Sequence, residues 1–451
     1  MGDAVSSLVA FIVAISILVA VHEYGHYIVG RWMGMKVLRF SIGFGKPLWT
    51  RIGAGEDRTE YCISAIPLGG YVRFLDSREA DIEPRDEGRA FNQKSIPARI
   101  AVLLAGPMFN FLFAILAYWM LFVYGIPTLR PAIGEVEPGS YAAEAGLREG
   151  DRIIAVGSVT TDNWESALVN MLDQMVASGN VQLRLQNESG SQRSATIKVG
   201  NDATRLTEPG MLFDGLGFAP WQPPAVVGEV TAGGAADAGG LQEDDQIVRI
   251  DDLPIRNFAD LRTVVSERAN ADVVIEVERG TERLMLDVRL GATERDGVMV
   301  GQLGVAAKAN TQDYFYLRKF GPLESIAHAN ERMWQTAVFT LRMLGRMVTG
   351  DVSIKNISGP INIAQFAGAS AQAGVGNFLG FLAIVSISLG VLNLLPLPVL
   401  DGGQIVYQLV EWLKGSPMSE RAQILGQQVG IFALLLLMSF AFYNDIARLL
   451  G

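Results

Sequence analysis

The stretch Val21-His22-Glu23-Tyr24-Gly25-His26 decides how this chain is organised. It ends an apolar segment in which Leu8 to Val21 carries no charge. Positions i and i+4 share one face of a helix, so His22 and His26 can hold one metal ion together. Glu23 beside them can take a proton from a metal-bound water. The alternative is a purely structural role for two histidines at a helix end.

The composition is that of a membrane protein. Hydrophobic residues make up 49% of the 451 residues, and the mean hydropathy is +0.26. Four stretches are long and apolar enough to span a bilayer: about Ala4 to Met33, Ile100 to Val123, about Phe378 to Leu395 and about Gly426 to Tyr443. The first is not a cleavable signal peptide, because it lacks a basic leading segment and continues directly into the histidine motif.

Charge and cysteine content exclude several classes of protein. The net charge of -10 argues against nucleic acid as a partner. Cys62 is the single cysteine, which excludes an intramolecular disulfide and a cysteine-rich zinc site. A metal would therefore be held by histidine and carboxylate groups. We expect Cys62 itself to be a small apolar residue in a strand.

The distribution of Lys and Arg predicts the membrane topology. No basic residue precedes the first span, whereas the segment from Met35 to Arg99 carries many. This segment is predicted to be cytoplasmic, with the N-terminus, the region between spans two and three, and the C-terminus outside. The histidine motif then lies near the cytoplasmic face.

Two short strands are predicted in the cytoplasmic segment, at residues 39–46 and 61–72. Both are rich in β-branched and aromatic residues and contain glycines, which mark close approach of backbone. We expect a small sheet that dips into the membrane toward the histidines; the alternative is an ordinary cytoplasmic hairpin.

Five further features are predicted to be structural. Asp76 to Arg89 has mixed charges and is expected to be a solvated loop. Asn110 in span two is expected to serve helix packing; the alternative is a hydrogen bond to a neighbouring helix or to the site. His328 is expected to be a surface residue, and Gly350 to Ala369 a linking loop. Glu324 to Val348 has helical apolar spacing and basic residues typical of a helix along the outer membrane surface.

The region between spans two and three contains an internal repeat. Ser140 to Ile154 and Gly234 to Val248 share a run of small residues, a glycine turn and an Asp before a strand. Both copies resemble PDZ domains of the circularly permuted bacterial kind, which bind extended peptides or C-termini by strand addition. Asp244 stands where the pattern prefers Gly, so we expect an altered turn there. A spacer that binds no peptide is the alternative.

A second motif, Asn393-Leu394-Leu395-Pro396-Leu397-Pro398-Val399-Leu400-Asp401-Gly402-Gly403, ends the third apolar stretch. Zinc in hydrolases commonly takes three protein ligands and a water, and Asp401 supplies the carboxylate that the histidine motif lacks. The prolines break the helix, and the glycines let backbone come close. The alternative is a helix-end turn with a capping Asp.

The two motifs together, with the two PDZ-like copies, resemble the site-2 protease family of intramembrane zinc metalloproteases over nearly the whole chain. The resemblance implies a zinc metalloendopeptidase in which His22, His26 and Asp401 bind Zn2+ and Glu23 is the general base. It also implies that substrate is bound by Asn393, Gly43, Phe44, Gly45, Pro396 and Pro398.

The resemblance further implies the substrates and the location. Substrates of the family are single-span membrane proteins that have already been trimmed outside, such as anti-sigma factors and remnant signal peptides, in envelope stress signalling. The implied location is the bacterial inner membrane, in contact with lipid. We expect the two PDZ domains to be periplasmic and to bind peptide or protein C-termini, acting as a size filter against untrimmed substrates.

The predicted fold is a multi-pass α-helical membrane protein with four transmembrane helices, a small membrane-associated β-sheet and two periplasmic α+β PDZ domains. Its segments are transmembrane helix 1 (1–34), a cytoplasmic loop with the sheet (35–99), transmembrane helix 2 (100–126), PDZ domain 1 (127–222), PDZ domain 2 (223–309), a periplasmic amphipathic helix with linker (310–375), transmembrane helix 3 (376–403), a cytoplasmic link (404–425) and transmembrane helix 4 (426–451).

Two other functions are compatible with part of the pattern. A non-catalytic membrane PDZ receptor with a structural metal would keep its function without Glu23. A metal transporter could use the same ligands, but four spans without an inverted repeat and a single candidate site argue against it.

Overall fold

A computed structural model describes residues 2–78, 82–187, 189–208, 210–295, 298–308 and 315–450. The chain divides into two compact units. One, the membrane unit, contains residues 2–126 and 318–450; the other, the soluble unit, is Pro127–Leu317. The predicted boundary between the second PDZ domain and the following linker, at residues 309 and 310, lies outside the described residues.

The helices in chain order are α1 Gly2–Trp32, α2 Ile96–Tyr124, α3 Tyr141–Glu144, α4 Trp164–Ser178, α5 Ala203–Leu206, α6 Met211–Leu216, α7 Ala235–Ala238, α8 Phe258–Ser266, α9 Pro322–Thr349, α10 Pro360–Gln372, α11 Val375–Asn393, α12 Asp401–Lys414 and α13 Glu420–Leu450. The strands are β1 Val37–Ile52, β2 Glu60–Phe74, β3 Ile126–Leu129, β4 Ile133–Val136, β5 Arg152–Val156, β6 Val159–Thr160, β7 Asn180–Gln186, β8 Gln192–Lys198, β9 Phe218–Pro220, β10 Val227–Val230, β11 Gln246–Ile250, β12 Leu253–Pro254, β13 Asp272–Arg279, β14 Glu282–Arg289, β15 Gly291–Arg295, β16 Val298–Gln302, β17 Val305–Ala307 and β18 Phe315–Arg318.

The four predicted spans are confirmed as helices long and apolar enough to cross a membrane. Within the described residues these are Val5–Trp32, Ile96–Tyr124, Val375–Asn393 and Arg421–Leu449. At a rise of about 1.5 Å per residue, each helix is long enough, or nearly long enough, to cross a bilayer core of about 30 Å.

Helices α1 and α2 approach each other closely because small residues line their contact. A Cβ added at Gly25 would lie 2.4 Å from the backbone oxygen of Ala105, so only glycine fits there. Small residues at a helix crossing allow this approach in membranes, where packing rather than water exclusion drives association. Leu18 is fully buried farther along α1, in a cluster with Leu382 of α11. The histidine motif is thereby held against α2.

The small sheet of the membrane unit is made from two long strands that each bend. Residues 39–42 of β1 pair on one side with residues 70–73 of β2 and on the other with residues 60–63. Beyond the bend, residues 47–52 pair with residues 60–64. The bend occurs at Gly43 and Gly45, whose φ angles of 92° and 84° favour glycine. Cys62 is buried in β2, as expected.

The soluble unit has two lobes with the same order of elements. In the first lobe a four-stranded sheet has the order β6-β5-β7-β8, and β4 pairs with β9. In the second lobe the order is β12-β11-β13-β14, and β10 pairs with β17. Each sheet covers its own hydrophobic core. This parallel agrees with the sequence repeat, and the identification of the lobes as PDZ domains stays a prediction.

The turn at Asp244 is not altered, contrary to expectation. Its φ of 75° is close to the 85° of Gly150 in the first lobe, because Asp is among the residues that tolerate the left-handed region. In both turns the following Asp accepts a backbone N–H three residues earlier: Asp151 from Arg148, and Asp245 from Gln242.

Three further expectations are corrected. The segment Asp76 to Arg89 is not simply solvated, since Asp86 is buried and accepts a hydrogen bond of 2.6 Å from Lys36. The predicted linking loop 350–369 contains most of α10. His328 is not an ordinary surface residue, because its ring stacks on Phe320 with centroids 3.9 Å apart.

Candidate metal centre and catalytic site

Three side chains from two distant parts of the sequence meet in the membrane unit. His22 and His26 lie one turn apart on α1, and Asp401 is the first residue of α12. Their ligand atoms all lie within 4.8 Å of one another. The two Nε2 atoms are 3.1 Å apart, and Asp401 Oδ2 lies 3.2 Å from Nε2 of His22 and 3.5 Å from Nε2 of His26. The predicted trio is therefore brought together.

This trio fits a zinc ion. The Oδ2 atom of Asp401 is buried and lacks a hydrogen-bond partner among the described residues. Two imidazole nitrogens that face each other are not expected to lie this close to a carboxylate oxygen unless a cation is bound among the three atoms. Two nitrogens and one carboxylate oxygen form the ligand set of catalytic zinc sites, which keep a further position for water.

The outer nitrogen of each histidine ring has a partner on α2. His26 Nδ1 lies 2.8 Å from the backbone oxygen of Val102, which can only accept, so Nδ1 carries the proton. His22 Nδ1 lies 3.1 Å from the Asn110 side-chain amide, whose Oδ1 is buried without a partner. Turning this amide over would let Oδ1 accept from Nδ1–H and satisfy both groups. Such partners fix which ring nitrogen faces a metal.

Asn110 is thus a site residue that the sequence analysis assigned to helix packing. Its position one turn beyond Gly106, in the apolar stretch from Ile100 to Val123, was the only available signal. Gly106 was not identified as a site residue from the sequence, where a glycine in a membrane helix indicates only close packing. A Cβ there would lie 2.4 Å from Nε2 of His26 and 2.7 Å from Nε2 of His22, so glycine is required for the rings to lie against α2.

Glu23 lies between the trio and the sheet. Its carboxylate interacts electrostatically with His26, His22 and Asp401, and the backbone amide of Val72 faces it. The sheet approaches closely because of Gly70, where a Cβ would lie 2.7 Å from the backbone oxygen of Ser41 and 3.1 Å from Cγ of Glu23. The strand that contains Gly70 therefore borders the site.

The second motif delivers Asp401 through a tight, non-helical turn. Helix α11 ends at Asn393 and α12 begins at Asp401, with the two prolines between them. A Cβ at Gly402 would lie 2.3 Å from the backbone oxygen of Leu394, and one at Gly403 would lie 2.1 Å from that of Leu397. The predicted helix break and close backbone approach are confirmed.

The residues predicted to bind substrate lie around this turn and on the sheet. Asn393 is half-buried and makes no side-chain hydrogen bond among the described residues. Pro396 is exposed, whereas Pro398 packs beside Gly426 and Gly430 of α13. Gly43, Phe44 and Gly45 form the bend of β1, where the Phe44 ring is 43% exposed and stacks on Tyr71.

Comparison with known proteins shows the family of this chain. The sequence profile of peptidase family M50 matches residues 10–437. The chain is 39% identical over 449 residues to the regulator of sigma E protease of Salmonella typhi, covering 98% of this chain and 99% of that protein. It is 38% identical over 446 residues to the regulator of sigma-E protease of Escherichia coli (strain K12), covering 98% of each chain.

A third relative is named as a zinc enzyme. The putative zinc metalloprotease of Vibrio cholerae is 39% identical over 456 residues, covering 100% of both chains. Since the family profile spans most of the chain and these relatives span nearly all of it, the chain belongs to peptidase family M50, the site-2 protease family of membrane metalloproteases.

Proposed function

We propose that this protein hydrolyses peptide bonds within transmembrane segments, with His22, His26 and Asp401 holding one Zn2+ and Glu23 acting as general base. The observation that carries the proposal is the convergence of the three ligand atoms within 4.8 Å, from helices that are far apart in sequence. Zinc, when bound, lowers the pKa of a bound water toward ~7 and polarises the scissile carbonyl.

The protein's own groups then have separate tasks. Glu23 takes a proton from the attacking water and delivers it to the leaving nitrogen, which is the ordinary work of a positioned carboxylate. Val102 and Asn110 hold the histidine rings in orientation. Because Gly106 has no side chain, both histidine rings fit against α2.

The substrate must be locally unwound, because a helix shields its own peptide bonds. Unpaired backbone groups in lipid cost several kcal/mol each. We propose that the sheet pairs with the unwound segment at this bend, where Gly43 is buried and permits the bend, Gly45 exposes backbone and Phe44 offers an apolar contact. The amide of Asn393, which makes no side-chain hydrogen bond among the described residues, is available to the same segment, and Pro396 and Pro398 shape the turn beside it.

The substrate class follows from the relatives rather than from the site. Two relatives are named for regulating sigma E, which suggests a role in envelope stress signalling. We propose single-span membrane proteins that have already been trimmed, such as anti-sigma factors or remnant signal peptides. The basic segment 35–99 would lie in the cytoplasm and the soluble unit in the periplasm, in the inner membrane of a bacterium.

The soluble unit is proposed to contain two PDZ domains that select trimmed substrates. A groove of about 840 Å³ in the second lobe is lined by residues of α8, β16 and β17, including Leu261, Arg262 and Val305. Arg262 and the exposed backbone of this groove suit an extended peptide or a C-terminal carboxylate. If the soluble unit is a size filter, deleting residues 127–308 will allow cleavage of an untrimmed substrate; continued resistance of that substrate would contradict the filter.

The primary test is cleavage of a trimmed single-span substrate in detergent by wild type and Glu23→Gln, with and without a zinc chelator. We expect cleavage by wild type only, lost with chelator and restored by added Zn2+. Zinc content measured in both proteins separates a role in catalysis from a role in metal binding, since Glu23→Gln should keep its zinc. Equal cleavage by both proteins would remove Glu23 as general base. Full zinc occupancy without cleavage of two different substrates would favour a receptor with a structural metal.

A further inference from the structure

The far end of α12 is tied to α2 by an ion pair between a buried arginine and a half-buried glutamate. Arg99 donates from both terminal nitrogens to Glu411, with Nη1 3.1 Å from Oε2 and Nη2 2.7 Å from Oε1. The two residues are 312 positions apart in the sequence. Arg99 is buried, and the Glu411 side chain is only 20% exposed. A two-point contact of this kind fixes direction as well as distance, because the guanidinium and the carboxylate are both planar.

The position of this pair relates directly to Asp401. Glu411 lies ten residues along α12 from Asp401, which is about 15 Å at 1.5 Å per residue. On α2, Gly106 and Asn110 face the histidines, and Arg99 lies about 10 to 16 Å before them along the same axis. Helix α12 therefore lies antiparallel along α2, with its first residue at the metal ligands and its last turns at Arg99.

Two attachments define the direction of a helix, whereas one leaves it free to tilt. The first attachment is the turn before α12, where Gln404 Nε2 donates to the backbone oxygen of Pro398 at 3.0 Å. The second is Glu411. A metal site tolerates only about 0.5 Å and 10 to 20° of error in its ligands. Tilt or rotation of α12 would move the Asp401 carboxylate out of this range.

We propose that Arg99 and Glu411 are positioning residues that hold α12 against α2 and so aim the Asp401 carboxylate at His22 and His26. The inference rests on the proposed metal site, although the attachment of α12 to α2 can be measured without metal. Neither residue touches the reacting atoms. They affect the metal site by fixing the direction of α12.

The test compares Arg99→Gln, Glu411→Gln and the exchanged pair Arg99→Glu with Glu411→Arg. Lys414→Gln, an exposed residue on the same helix, is the matched control for a lost charge. The first readout is the zinc dissociation constant in detergent, from competition with a chromophoric chelator. We expect about tenfold weaker binding in each single variant, as for other residues that orient metal ligands, and recovery to within about threefold in the exchanged pair.

The second readout uses metal-free protein. Spin labels at Leu116→Cys and Leu413→Cys, both exposed positions, report the α2–α12 distance in a Cys62→Ala background. The single variants should broaden the distance distribution, and the exchanged pair should narrow it again. Wild-type zinc affinity together with an unchanged distribution in the single variants would overturn the proposal, as would an exchanged pair no better than either single variant.

The two readouts separate this proposal from the proposed metal site. If wild type binds no zinc, the metal site is wrong, while the distance measurement still decides the role of the ion pair. Should a glutamine variant fail to fold, Arg99→Lys keeps the charge but loses the two-point geometry, and the same broadening is expected from it.

Discussion

Replacing Gly106 by Ala is the most direct perturbation of the metal centre, because it adds one methyl group against the Nε2 atoms of both histidines. The new Cβ would lie 2.4 Å from Nε2 of His26 and 2.7 Å from Nε2 of His22. Ordinary contact begins at about 3.4 Å, so the His26 ring must move by about 1 Å. A misplacement of about 1 Å costs on the order of 100-fold in rate, or about 2.7 kcal/mol at 1.36 kcal/mol per decade.

The same change should leave folding intact. Ala is favoured over Gly in a helix by about 1 kcal/mol, which offsets local strain in α2. We therefore expect thermal unfolding in detergent near that of wild type, with zinc binding at least tenfold weaker and cleavage of a trimmed single-span substrate reduced about 100-fold. Chelator competition measures the first effect, and initial cleavage rates under zinc saturation measure the second.

Gly380→Ala provides the control, since a Cβ there meets only a Leu121 methyl group at 3.8 Å. It makes the same substitution in a membrane helix without touching the histidines, and it should retain zinc and activity. The reasoning would be refuted if Gly106→Ala bound zinc and cleaved substrate within twofold of wild type while remaining folded.

Three further outcomes are expected. Asn110→Leu should weaken zinc binding about 10- to 100-fold in chelator competition by releasing the His22 ring, and unchanged affinity would contradict that role. Gly43→Ala should lower the free energy of unfolding by about 1 to 3 kcal/mol, since φ is 92° and its Cβ would lie 2.9 Å from two backbone oxygens; a wild-type melting temperature would argue against strain there. The hydrogen bond from Lys36 lowers the pKa of Asp86 from 3.8, so this stabilisation is present above pH 3.8 and is lost as pH falls through the lower folded value. Lys36→Met should accordingly lower the melting temperature at pH 7, and this decrease should become progressively smaller below pH 3.8. A decrease in melting temperature that does not depend on pH would exclude this ion pair as its cause.

The sequence by itself determined the membrane helices and predicted the residues of the metal centre. Apolar stretches of this length must satisfy their backbone groups internally, so they form helices whatever surrounds them. The spacing of His22 and His26 is likewise local, because four residues make about one helical turn. Asp401 could be added from its own motif and from the family resemblance, since zinc chemistry requires a third ligand of this type.

Only the tertiary structure decided which other residues support that centre. Gly106 and Asn110 carry no motif, and they matter because α2 happens to cross α1 at the two histidines. The pairing of Arg99 with Glu411 joins positions 312 residues apart, and a charged residue near a helix end does not reveal its partner. Local patterns specify which helices form, whereas contacts between helices depend on how side chains far apart in the chain fit together in space.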